Sequence, residues 1–318
     1  MIIARSQENF PQPPERPLLA VSDPYADGMG MQRELDPLAL FPQRSGHGRL
    51  YRVVQGDCID ILSRLPAACV DLVFADPPYH LSNGGFTCQS GRRAKVDKGA
   101  WDASRGLETD HAFQKAWLRE VQRILKPSGT LWVSGTQHVI FSIGFAMQEL
   151  GYHLLNTITW YKPNAAPHLA CRYFTHSTEL LIWASPQKRQ PLAHTFHYAE
   201  MKKENGGKQM RDVWAIEDDA PADAAHGLWT IPTPSRQEKA LGGHPTQKPI
   251  ALLERIVRAS SDPGAVVLDP FCGSGTTGVA AVALGRRFIG IDFEETYVDL
   301  ARRRIRARLA EQRARSVA

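Results

Sequence analysis

AVVLDPFCGSGTTG (265–278) reads, in one continuous stretch, as a buried strand, a glycine turn and the opening of a helix. Residues 265–269 are an apolar run closed by an acid, as expected of a strand covered on both faces. Gly273, Gly275 and Gly278 then satisfy G-x-G-x-x-G. Glycine lets the backbone approach a ligand closely, and the helix that follows presents unpaired N–H groups to it. The next apolar run, RRFIGID (286–292), ends in Asp292, seventeen residues beyond Gly275, where a carboxylate suits ribose hydroxyls. The loop alone leaves the ligand open, because NAD, FAD and S-adenosylmethionine all sit on turns of this kind.

Working outward, the same alternation recurs on the far side of an irregular region. YRVVQG (51–56), VDLVFA (70–75), TLWVSG (130–135), LLNTITWYK (154–162) and TELLIWA (178–184) read as strands, with helices expected over 59–65, 109–125, 250–260, 276–284 and the C-terminal end. The expected fold is α/β: one doubly wound, mostly parallel, Rossmann-like sheet assembled from two chain segments around an insertion. Residues 1–47, with seven prolines and no period, read as a poorly ordered arm. Residues 48–184 form one half of the domain, 185–243 the polar insertion and 244–318 the second half. Residues 80–101 read as a long basic loop.

Composition narrows the class. The 318 residues are 43% hydrophobic and 22% charged, an ordinary globular balance, with no apolar run long enough to span a membrane and no secretion signal at the N-terminus, so the expected compartment is the cytoplasm. Five scattered cysteines, none in a CxxC pair, indicate neither a disulfide framework nor a structural zinc site. His176, His194 and His197 fit no zinc spacing, so no metal is expected. The net charge of +5 is uneven: residues 301–318 carry seven arginines and one glutamate, and the rest of the chain is close to neutral. The arginines of 302–308 are read first as the exposed face of the last helix, and second as a grip on a polyanion.

Asp76-Pro77-Pro78-Tyr79 closes the apolar strand 70–75. A Pro-Pro turn would end a strand, but it accounts for neither the acid nor the aromatic that flank the prolines at a strand's carboxyl end. A reaction at an exocyclic amine does. That lone pair is conjugated into the base, so a carboxylate and a proline carbonyl that accept the amine hydrogens favour a more nucleophilic nitrogen. Tyr79 offers a flat face to an extruded base, a stacking contact worth about 1–3 kcal/mol.

DPPY together with FCGSG resembles the amino-methylating DNA methyltransferases. The order DPPY, insertion, HPTQKP (244–249), FCGSG resembles their beta group, over about residues 50–305. DPPYHLSNGG (76–85), residues 156–184 and GKQMRDVW (207–214) most resemble the second adenine methyltransferase of GATC restriction-modification systems. The resemblance implies methyl transfer from S-adenosylmethionine to the N6 amine of a flipped adenine. It implies that Asp76 and Pro77 hold the amine, with Pro78 completing the turn, and that Tyr79 stacks the base. Phe271, Gly273, Ser274, Gly275 and Thr276 would line the methionine side of the cofactor, and Asp292 would take its ribose. Asp57 would accept from its adenine amine, and Thr246 and Lys248 would lie near its carboxylate. The structural alternatives are that Asp57 only caps the helix that starts at 59 and that HPTQKP only leads a helix. The insertion 185–243 would recognise the target, although its acidic stretch 217–228 departs from the GATC type.

DNA contacts are expected from Arg92, Arg93, Lys95 and Lys98 on the 80–101 loop, and from Lys162, Arg172, Lys208 and Arg211, with Lys202 and Lys203 beside them; solvated charge is the alternative for all of them. The implied partner is double-stranded DNA, with single-stranded DNA also accepted in this group. A cognate restriction endonuclease and a homodimer stay open, and the setting is a prokaryotic cytoplasm, at the nucleoid through the substrate. Four other readings remain: a cytosine-N4 enzyme of the same group, an enzyme methylating RNA or a protein amide, a catalytically dead DNA-binding homologue, against which the intact Asp76 and Tyr79 count, and a nicotinamide or flavin oxidoreductase built on GxGxxG, which leaves DPPY and HPTQKP unexplained. A cytosine-C5 enzyme would need a Pro-Cys nucleophile, and the chain has none.

Overall fold

A computed structural model describes residues 36–40, 50–82, 86–89, 92–95, 102–162, 165, 171–172, 174–188, 193–214 and 233–317. The first half of the domain runs β1 (Tyr51–Gln55), α1 (Cys58–Ser63), β2 (Val70–Ala75), β3 (Phe86–Gln89), β4 (Arg92–Lys95), α2 (Leu107–Ile124), β5 (Leu125–Gly135), α3 (Ile140–Glu149), β6 (His153–Tyr161) and β7 (Thr178–Ser185). The insertion contributes α4 (Tyr198–Glu204) and β8 (Val213–Trp214). The second half runs α5 (Ile250–Ser260), β9 (Val266–Asp269), α6 (Thr276–Ala283), β10 (Arg287–Asp292) and α7 (Glu295–Val317).

The main sheet has the order β1-β10-β9-β2-β5-β7-β6-β8. All neighbours from β1 to β5 are parallel, β7 runs antiparallel to both β5 and β6, and β8 lies parallel to β6. The late strands β9 and β10 thus fill the gap between the early strands β1 and β2, so two distant chain segments complete one doubly wound sheet. Alternation along each strand divides the interior into two cores. Val73, Leu131, Leu268 and Ile289 pack against α1, α2 and α3. Their neighbours Phe74, Trp132, Val267 and Phe288 pack against α5, α6 and α7. With both faces covered, parallel strands read as the continuous apolar runs that the sequence displays.

Three regions differ from the sequence reading. Residues 36–40, assigned to the arm, carry a 3-10 turn whose Leu38 is fully buried in the first core and whose Asp36 pairs with Arg287 at 2.9 Å. Within 80–101, β3 and β4 form an antiparallel hairpin, Phe86↔Lys95 through Gln89↔Arg92, where a loop is expected. In the insertion, α4 is held on the body by Glu204, which takes Arg255 and Arg258 of α5 at 2.9 and 3.4 Å. The rest of the arm, Lys98, Trp101 and the acidic stretch 217–228 lie outside the described residues, as do the side chains of Arg92, Arg93 and Lys95.

Candidate active site

Parallel strands all point their carboxyl ends to one edge, which is where open α/β sheets hold their ligands. Here that edge gathers Asp57 after β1, Asp76 after β2, Ser134 near the end of β5, Asp269 closing β9 and Asp292 closing β10. Because β7 runs the other way, its amino end arrives at the same edge and delivers Glu179. A cavity of about 480 Å³ opens there, lined by Asp57, Asp76, Lys248, Phe271, Gly273 and Asp292 among others.

Two of the three loop glycines make room for neighbouring elements. A Cβ on Gly275 (φ +74°) would fall 2.6 Å from Ala301 Cβ of α7, and one on Gly278 would fall 2.6 Å from both Ile305 and Phe288. Gly273 (φ +48°) faces the cavity wall, with the His244 ring 3.4 Å from where its Cβ would stand. Asp292 Oδ2 accepts the Gly273 N–H at 2.8 Å and so fixes the loop to β10. Arg304 of α7 fixes it from behind, its guanidinium donating to Ser274 O, Ser274 Oγ and Thr276 Oγ1 at 2.7, 2.8 and 3.0 Å. Arg304 is only 6% exposed. Arg302 likewise reaches back to Val53 O at 2.9 Å and Arg306 to Tyr51 Oη at 3.3 Å. The 302–308 arginines are therefore not simply an exposed face, since a helix that packs its flank on the sheet turns part of any run inward.

Asp57 caps α1, its Oδ1 accepting from Ile59 and Asp60 N–H at 2.8 and 3.2 Å, and it also lines the cavity. The cap and the ligand role are thus compatible in one side chain. Burial pushes Asp269 up to about 7, despite hydrogen bonds from Thr277 Oγ1 and the Phe271 N–H. Burial also raises Asp292, against the N–H groups that it accepts.

At the DPPY turn, Asp76 is the hub. Its Oδ1 accepts from Tyr79 Oη and Ser134 Oγ, both at 2.6 Å, and its Oδ2 from Lys248 Nζ at 2.5 Å. Lys248 Nζ is also 3.7 Å from Glu179 Oε2, and Glu179 Oε1 accepts from Lys162 Nζ at 2.8 Å. Four charges thus alternate in a row: Lys162, Glu179, Lys248, Asp76. Burial would push Glu179 up, but the two lysines hold it below the usual carboxylate range. Burial would lower Lys248, but Asp76 and Glu179 outweigh it and keep it charged. Lys162, expected among the DNA contacts, thus pairs with Glu179 beside the DPPY turn. Thr246 turns to His244, its N–H and Oγ1 lying 3.2 and 3.1 Å from Nδ1. Arg172, Lys208 and Arg211 are exposed.

Asp102, which the sequence reading passed over, is tied directly to the DPPY turn. It is 1% exposed, and its carboxylate accepts the N–H groups of Tyr79, His80, Leu81 and Ser82 at 2.8–3.0 Å, with Ser82 Oγ at 3.0 Å. Successive N–H groups converge this way when a left-handed residue turns the chain, and His80 has φ +57°. Ser134 and Glu179 were missed too. The usable signal for Glu179 was a lone acid at the head of a strand otherwise apolar; Ser134 and Asp102 carry none. The histidines at 176, 194 and 197 go separate ways: to Gln137 at 3.4 Å, against the Trp183 ring, and to Asp262 at 3.1 Å.

Comparison with known proteins places this geometry. A family profile described as DNA methylase matches residues 70–303. The chain is 48% identical over 255 residues to the Type II methyltransferase M2.DpnII of Streptococcus pneumoniae, covering 80% of this chain and 89% of that protein. It is 42% identical over 254 residues to the Type II methyltransferase M2.MboI of Moraxella bovis, covering 80% and 87%. Its fold is similar to that of M1.HpyAVI solved as a SAM complex, with TM-score 0.54 and 24% identity over 80% of this chain and 99% of that one. It is also similar to the cytosine-N4-specific PvuII DNA methyltransferase, with TM-score 0.54 and 20% identity over 80% and 86%.

Proposed function

This chain belongs to the DNA methylase family, and we propose that it transfers a methyl group from S-adenosylmethionine to the N6 amine of an adenine extruded from DNA, with GATC as the target. Membership sets the oxidoreductase reading aside. The likeness of DPPYHLSNGG and GKQMRDVW to the GATC enzymes carries the target, and single-stranded DNA is a second substrate on the same ground. No helix among the described residues is long and apolar enough to cross a membrane.

One observation carries the reading: Asp76 and the glycine loop line a single cavity. The cavity suits the cofactor. Asp57 follows β1 and Asp292 closes its neighbour β10, so the two carboxylates would hold the cofactor's adenine amine and ribose hydroxyls. Gly273 lines the wall with φ +48°, a left-handed conformation that favours glycine. When bound, the cofactor supplies an electrophilic methyl on a sulfonium. The chain supplies the rest. Asp76 and the Pro77 carbonyl accept the amine hydrogens, so the nitrogen lone pair turns toward the methyl, and Asp76 is positioned to take the proton that the nitrogen sheds. Tyr79 stacks the base, while Tyr79 Oη and Ser134 Oγ keep the carboxylate aimed. Holding the two reactants in line provides most of the acceleration.

The test is single-molecule sequencing of DNA from an undermethylated host expressing the chain, beside an Asp76→Ala control. Methyl-adenine at GATC in the parent alone is the expected result, with turnover of the variant down by about a thousandfold or more. Methyl-adenine elsewhere removes the target, N4-methylcytosine removes the base, and variant turnover within about tenfold of the parent removes the role of Asp76.

A further inference from the structure

The Lys248 ammonium lies where the proposed function needs an amine. It donates to Asp76 Oδ2 at 2.5 Å, sits 5.1 Å from the centre of the Tyr79 ring, and is 6% exposed. An extruded adenine would present an N–H donor to the same carboxylate and a flat face to the same ring. On that reading of the site, we infer that Lys248 is a placeholder for the target base, and that base entry moves its ammonium from Asp76 to Glu179.

The surroundings are built for such a transfer. Breaking a buried ion pair outright costs about 3–5 kcal/mol, because it strands a charge. Lys248 has a second carboxylate within reach, Glu179 Oε2 at 3.7 Å, so a short swing exchanges one pair for another. Glu179 is kept ionised by Lys162, which holds its other oxygen at 2.8 Å, and Tyr79 Oη stands 3.3 Å from Oε2. The swing has a chemical consequence. With Lys248 on Asp76, that carboxylate is neutralised and is a weak acceptor. With Lys248 on Glu179, Oδ2 faces the incoming amine with its charge uncompensated, while Tyr79 Oη and Ser134 Oγ still orient it through Oδ1. Full acceptor strength is thus released only when a base fills the seat.

The experiment uses the full chain and a duplex that the parent methylates, with 2-aminopurine replacing the target adenine; fluorescence reports extrusion. Lys248→Met empties the seat and should raise the extruded fraction about tenfold, while Glu179→Gln removes the second acceptor and should lower it by a similar factor. On unmodified duplex, Glu179→Gln should lower kcat by about tenfold or more while the dissociation constant for S-adenosylmethionine stays within about twofold. Less extrusion in Lys248→Met would make Lys248 part of the base site and overturn the inference. So would unchanged extrusion and turnover in Glu179→Gln. That second variant keeps one carboxylate–ammonium pair, and it decides the matter if Lys248→Met does not fold. A parent that methylates no DNA would instead defeat the functional reading; an active parent with the wrong variant pattern defeats only the placeholder.

Discussion

Asp102 shows how much one side chain settles at this site. Five donors from residues 79–82 converge on its carboxylate, so the backbone that carries Tyr79 is held from beneath. Hydrogen bonds to a charged group contribute about 1.5–3 kcal/mol each. Asp102→Asn turns one acceptor oxygen into a donor facing other donors. Its methyl-transfer rate in single turnover should fall by about a hundredfold, while cofactor affinity measured by calorimetry stays within about threefold. Equal losses in both would mean a general structural role. Asp102 holds Tyr79 through a backbone N–H 23 positions away, and no motif announces such a contact.

At the scale of elements, α7 supports the glycine loop. Ala301 fills the space left by Gly275, Ile305 that left by Gly278, and Arg304 satisfies the Ser274 carbonyl from behind. A G-x-G-x-x-G pattern is usually read toward the ligand; here two of its glycines are required by a helix on the opposite side. Arg304→Met keeps the apolar stem and removes three hydrogen bonds, so S-adenosylmethionine should bind about tenfold more weakly in calorimetry. Arg303→Met, one residue away and exposed, should leave binding unchanged. Equal effects from the two would indicate bulk charge in place of the specific tie. The β3–β4 hairpin is the element that the sequence hid. Each of its strands is four residues long, and the run of Arg92, Arg93 and Lys95 reads as loop.

At the scale of the whole molecule, the edge of the sheet concentrates acids: Asp57, Asp76, Glu179, Asp269 and Asp292 come from five strand ends. Asp269 pays most for this, since burial raises it to about 7. An acid raised on folding holds its proton longer in the folded state, so its contribution to stability is present below the ordinary carboxylate range and is lost as pH climbs through about 7. The melting temperature of the parent should therefore fall more steeply from about pH 5 to about pH 8 than that of Asp269→Asn. Parallel curves would show that Asp269 is not the titrating group. The alternating strands, the turn at 273–278 and the acid after each of β2, β9 and β10 were legible in the chain itself. Strand pairing on two covered faces demands continuous apolar runs, and a backbone passing close to another group demands glycine; both are local requirements. The order of the strands, with β9 and β10 between β1 and β2, was not legible, nor was the antiparallel entry of β7 that brings Glu179 within 3.7 Å of Lys248. Lys248 meets Asp76 across 172 positions, and Asp102 meets Tyr79 across 23. Such partners are chosen by which chain ends a folded sheet places side by side, and no local pattern of residues carries that information.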